Sequence, residues 1–142
     1  MRLDDSARAL IGDAAEATLV TLNPDGSPQV SLVWVARETT PDGDDELVVA
    51  HLSEHRKVRN VRRDPRVALT ILAPDTGGQL LRPFLAITGT ARIVEGGAPE
   101  LLGRLAAALI GPDSGFPPEG APPGYLTRIR IDKVGGVGPW AQ

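Results

Sequence analysis

The residues best suited to chemistry lie in one run, Ser53-Glu54-His55-Arg56-Lys57-Val58-Arg59-Asn60-Val61-Arg62-Arg63-Asp64-Pro65-Arg66. It holds six of the 15 lysines and arginines against two acids, a local balance of +4 in a chain of formal net charge -3, so the remainder stands at -7. Val58 and Val61, three apart, form a narrow apolar stripe that can dock a helix, with Arg56, Lys57, Arg59, Arg62 and Arg63 fanned over its other faces. Asp64-Pro65 ends that helix, because the residue before a proline is pushed out of the α region. Ser53 is placed to cap its start. The free N–H groups of a first turn, together with Arg56 and Lys57, make a site for an anion such as a phosphate. Lysine is otherwise scarce, with only Lys57 and Lys133 against 13 arginines. A compact ammonium at 57 suits a point-charge contact better than a planar guanidinium does.

Other chemistry-bearing residues are sparse. His51-Leu52-Ser53-Glu54-His55 spells the H-x-x-E-H string of inverted zinc peptidases, and it contains both histidines of the chain. That chemistry needs the two on one helical face with a further ligand. Here His51 ends a strand-like run and cations follow, so no metal site is expected; His55 remains a candidate anion contact or proton donor. Trp34, Trp140 and Tyr125 are candidate walls or donors of a ligand pocket, or simply packing residues. Nucleic-acid binding by the basic run is not expected, because the chain is net acidic and no aromatics interleave with its cations.

These residues must be positioned by one domain, 1–142, large enough for a single core. There is no cysteine, hence no disulfide framework or catalytic thiol. The first residues lack the apolar core of a signal peptide, and no run approaches the length of a membrane span, so no membrane association and a cytoplasmic location are expected. Leu3, Ala7, Leu10 and Ile11 repeat at helical spacing, predicting a short helix to about Asp13. Ala17 to Asn23 alternates as a strand, and Asn23-Pro24-Asp25-Gly26-Ser27 is a turn. Pro28 to Arg37 is a second strand, with Val30, Leu32, Trp34 and Ala36 on one wholly apolar face and Gln29, Ser31, Val33 and Val35 on the other. Leu47 to Leu52 reads as a strand buried on both faces. After the basic helix come strands Arg66 to Ala73 and Phe84 to Glu95, the latter with Gly89 at a bulge or close approach. A helix over Pro99 to Ile110 follows, then a Gly/Pro loop or lid from Gly111 to Gly124, and a last strand from Tyr125 to Val134. Six strands with so few helices predict a mainly β fold, an antiparallel barrel whose interior is filled by side chains. A sizeable ligand then lies outside it or between two chains.

The run Ala17 to Val30, then Val33-Trp34, then Arg56 to Val67 with its Lys57-Val58-Arg59-Asn60 core and Asp64-Pro65-Arg66, resembles the pyridoxamine-phosphate-oxidase-like split β-barrel family. Within it, the match is closest to the actinobacterial branch that uses the deazaflavin coenzyme F420. The resemblance implies a six-stranded split β-barrel, homodimeric, with two cofactor grooves at the subunit interface. It implies a cofactor phosphate near Ser53, Arg56, Lys57 and Asn60, and a ring along Ser31, Leu32, Val33 and Trp34. The activity it implies is hydride transfer from reduced F420 to a small unsaturated organic acceptor. FMN in the same groove, or a non-catalytic carrier of flavin, deazaflavin or haem, are the alternatives. Hydride transfer draws its chemistry from the cofactor, which accords with a sequence offering no obvious nucleophile or metal site. The chain departs from the family pattern at His51-Leu52, which leaves Ser53 as the one side-chain hydroxyl there, and at Leu32, where many members have proline.

Overall fold

In the computed structural model, which describes residues 1–141, the six expected strands form a closed antiparallel barrel in the order β1-β2-β3-β6-β5-β4. The strands are β1 (Ala15–Leu22), β2 (Pro28–Thr39), β3 (Asp45–His51), β4 (Arg66–Leu72), β5 (Phe84–Glu95) and β6 (Tyr125–Val137), and the helices are α1 (Asp5–Ile11), α2 (Arg56–Arg63) and α3 (Ala98–Leu109). Alternation builds the core. Leu19, Val33, Val35, Leu47, Val49, Leu69, Leu85, Ile87, Ile129 and Ile131 are buried in one cluster. Among the described residues, no helix is long and apolar enough to cross a membrane.

The β1–β2 hairpin turns where Pro24 and Gly26 require, Gly26 sitting at φ 85° and its N–H donating to the Asn23 carbonyl. Gly89 meets both expectations. The β5–β6 register shifts between Thr88 and Gly89, and a Cβ at Gly89 would overlap the Arg130 carbonyl oxygen. β3 is buried on both faces because α3 lies against its outside, where Leu101, Leu102 and Leu105 pack on Ala36, Val48 and Leu126.

On β2, Val33 and Val35 face the core, so the wholly apolar face is the exterior one. α3 covers its far end at Ala36, Trp34 is half-buried, and Val30 and Leu32 are bare. β2 pairs with β1 from Pro28 to Val35 but with β3 only from Ala36 to Thr39. On the N-terminal side of Ala36 the two strands part, and this parting makes a cleft.

The N-terminal segment is tied down by one buried acid. Asp45, with no exposed side-chain surface, accepts the Leu3 N–H at 2.7 Å and pairs with Arg37 at 2.8 Å and Arg8 at 3.0 Å. At the other end Trp140 is no loose aromatic: its indole N–H donates to the Phe84 carbonyl at 3.0 Å, and the ring packs in the core, away from the cleft.

Candidate functional site

The cleft has a volume of about 340 Å³ and is lined by Leu32, Val33 and Trp34 of β2, Val49 to Leu52 of β3 and the residue after it, His55 and Lys57 at the start of α2, Leu102 of α3, and Phe116. That is within the range of small-molecule sites, about 300–1,000 Å³. Because the strands have parted, the edges of β2 at Leu32–Trp34 and of β3 at Ala50–His51 that face each other carry no ladder partner. The walls are therefore apolar side chains interleaved with unpaired peptide groups.

α2 is held over one end of the barrel by Val58 and Val61, both buried, as their spacing requires. Asn60 fixes its rotation. Buried, it donates through Nδ2 to Thr21 Oγ1 at 3.0 Å and Asn23 Oδ1 at 3.1 Å. The residue at the cap position is His55, with no side-chain cap, and not Ser53. The reason is a tight turn before the helix: the His55 N–H bonds back to the Ser53 carbonyl at 2.9 Å, which leaves Ser53 outside the first turn with its hydroxyl 3.2 Å from His55 Nε2. The orphan N–H groups of the first turn are thus uncapped by protein side chains.

Of the residues read from the sequence as a site, Leu32, Val33, Trp34 and Lys57 come together on the cleft. Leu32 and Trp34 do so through the outer face of β2, and Val33 by its backbone, its side chain being in the core. Ser31 points to the barrel side; its hydroxyl is buried and has no hydrogen-bond partner among the described residues. Ser53 and Arg56 stand beside the rim without lining the cleft, and Asn60 is turned into the protein. Tyr125 pairs opposite His51 across β3 and β6, under the Arg62 guanidinium 5.2 Å from its ring centre. Phe116 was not legible as a site residue. It meets Trp34 edge to face, ring centres 6.0 Å apart. The one signal for it was an aromatic side chain in an otherwise small and rigid Gly/Pro run.

The electrostatics are one-sided. Arg56 and Lys57 have no acidic partner among the described residues, whereas eight other arginines do. Burial pulls the Lys57 ammonium down from its ordinary value, and burial with the charges of Lys57 and Arg59 lowers His55. A bound anion reverses both effects. His51, bonded through Nε2 to Thr127 Oγ1 at 2.8 Å, is pushed down to about 3, chiefly by burial and then by Lys57 and His55. An NMR titration should therefore show His51 neutral from pH 8 to 5. An unfolded histidine takes up its proton near pH 6.5, so the stability linked to His51 is whole above that value and is lost as pH falls toward 3. A His51 signal titrating near 6.5 in the folded chain would contradict this placement.

The family described as pyridoxamine 5'-phosphate oxidase matches residues 3–138. No curated protein matches the sequence. Solved structures of similar fold include an F420 reductase, 24% identical over 90% of this chain and 94% of that one, with a TM-score of 0.72. A conserved hypothetical protein from Mycobacterium tuberculosis is 25% identical over 96% and 84%, with a TM-score of 0.68. HutZ, the heme storage protein of Vibrio cholerae, is 18% identical over 96% and 95%, with a TM-score of 0.61. With its six-stranded antiparallel barrel and a family match spanning nearly its whole length, the chain belongs to the pyridoxamine 5'-phosphate oxidase family.

Proposed function

We propose that this protein is an oxidoreductase that binds F420 and, with it, reduces a small unsaturated organic acceptor; FMN in the same cleft is the alternative. One juxtaposition carries the reading. Two cations without acidic partners among the described residues, Arg56 and Lys57, stand at the uncapped start of a helix and beside an apolar cleft walled by Trp34. A ligand that is anionic at one end and flat at the other satisfies both halves. The family membership, and an F420 reductase among the proteins of similar fold, support it.

The coenzyme, when bound, supplies the hydride chemistry. The chain's own residues bind and orient. Lys57 and the first-turn N–H groups of α2 hold the anionic tail, with Arg56 and Ser53 reaching it from the rim. The unpaired strand edges at Leu32–Trp34 and Ala50–His51 offer peptide donors and acceptors to a ring, and Leu32, Trp34 and Leu52 keep water from it. Ser31 turns its hydroxyl to the barrel side, where it has no partner among the described residues, and it borders that edge through its backbone alone. Asn60 serves by seating the helix.

A second copy of the chain belongs to this reading. Val30, Leu32 and Leu72 are 59%, 68% and 53% exposed. Leu32 also lines a second cavity of about 560 Å³ together with Leu10, Leu72 and Phe84, so bare apolar surface runs on from the cleft. Titration with F420 and, in parallel, FMN, each followed by its own fluorescence, tests the cofactor. Tight binding of F420 with little of FMN is expected. The reverse preference moves the chain to flavin chemistry, and binding of neither leaves a haem carrier as the reading to test.

A further inference from the structure

Among the described residues, the 14 from Gly111 to Gly124 are a strap hydrogen-bonded to the rest of the protein only at its ends. The Gly111 N–H bonds to the Ala106 carbonyl at 2.9 Å, and the Pro123 and Gly124 carbonyls accept from Ala98 at 3.0 Å and Gly96 at 2.7 Å. Between them the hydrogen bonds are internal, Ser114 to Gly111, Phe116 to the Ser114 hydroxyl and Ala121 to Pro118. Among the described residues, no hydrogen bond or ion pair ties 112–122 to the barrel. Pro117 and Ala121 are partly buried, and Phe116 packs edge to face on Trp34 at an interplanar angle of 81° while both line the cleft. Five prolines stiffen the strap into short pieces, and Gly115, at φ 72°, gives a pivot next to Phe116.

We propose that this strap gates the cleft, with Phe116 as its latch on Trp34, and that unlatching sets the rate at which flat, anionic ring compounds enter. Phe116 fills the space beside the Trp34 ring on the cleft side. A ring coming to rest on Trp34 from that side therefore displaces Phe116, which can then close behind it. The inference concerns the cleft of the proposed function but does not depend on which cofactor it takes.

Two measurements on the full chain test it, and neither uses F420 or FMN. Phe116 is half-exposed, so Phe116→Ala leaves the barrel intact, which circular dichroism checks; Phe116→Tyr keeps the ring as a control. In the ligand-free protein, proteinase K cleavage within residues 111–124, read by mass spectrometry, is expected to quicken about two- to twelvefold in Phe116→Ala, the worth of an aromatic pair. Stopped-flow binding of 8-anilinonaphthalene-1-sulfonate, a flat aromatic anion, is expected to show association and dissociation both faster by a similar factor, with the dissociation constant moving less than either. Phe116→Tyr should behave as the parent in both. Unchanged cleavage overturns the latch. Faster cleavage with unchanged association, or with faster dissociation alone, overturns the gate and makes Phe116 a plain wall. In any of these outcomes the cofactor titration stands or falls by itself.

Discussion

Replacing Lys57 with alanine is expected to weaken binding of the proposed cofactor, F420, by about 10- to 150-fold, the 1.5–3 kcal/mol of a hydrogen bond to a charged group. The ammonium is half-buried, has no acid among the described residues to neutralise it, and stands at the positive end of a helix dipole, so an anion arriving there meets concentrated and poorly solvated positive charge. The same substitution should leave melting unchanged or slightly raised, because the ligand-free protein loses only an unpaired, partly desolvated cation. That split between binding and stability separates a ligand contact from a structural lysine. The affinity should also fall with added salt in the parent and less steeply in the variant. An unchanged dissociation constant would show that the start of α2 is not where the anion binds.

Asp45→Asn is the substitution expected to cost most stability, about 3–5 kcal/mol, the range for removing one partner of a buried ion pair. In a domain of this size that lowers the melting temperature by about 10–15 °C. Arg8 and Arg37 would face a neutral amide, and Arg37 Nε is already buried without a partner among the described residues. Burial alone would raise the Asp45 carboxyl, but the Leu3 N–H and the Arg37 and Arg8 guanidinium groups outweigh it and hold the group below its ordinary value. Its folded value therefore lies below the unfolded one near 3.9. The stabilisation is whole above about pH 4 and is lost as pH falls through the folded value. Melting curves of parent and variant should draw together as the pH falls below about 4, and a gap that does not narrow at all in acid would mean that Asp45 acts through shape rather than charge.

Much of the fold was legible because barrel strands announce themselves by alternation and their turns by proline and glycine. The Asn23–Ser27 turn, the doubly buried β3 and the irregularity at Gly89 all follow from residue type alone. The docking stripe of α2 did too, since Val58 and Val61 admit one orientation. Which face of β2 turns inward did not. Its apolar face is the outer one, because α3 covers part of it and the cleft and bare surface take the rest, and a count of apolar residues cannot separate burial in a core from burial under something else. Ser53 misled for a related reason: cap preference acts only if the helix begins at the next residue, and a local turn delays it to Arg56. Phe116 was out of reach because a Gly/Pro segment has no period from which to place a side chain.

The alternation along β2 also bears on how such a protein can change over generations. Val33 and Val35 answer to the packing of the barrel, while Leu32 and Trp34, one residue away, answer to whatever enters the cleft. In the proposed site, a point substitution at the bare Leu32 can therefore alter what is bound without disturbing the interior, whereas one at Trp34 also touches the packing under α3 and the contact with Phe116. Inserting or deleting one residue in the same strand exchanges the two sets at once. Drift by substitution is open to this site, and drift by change of length is confined to the strap and the turns.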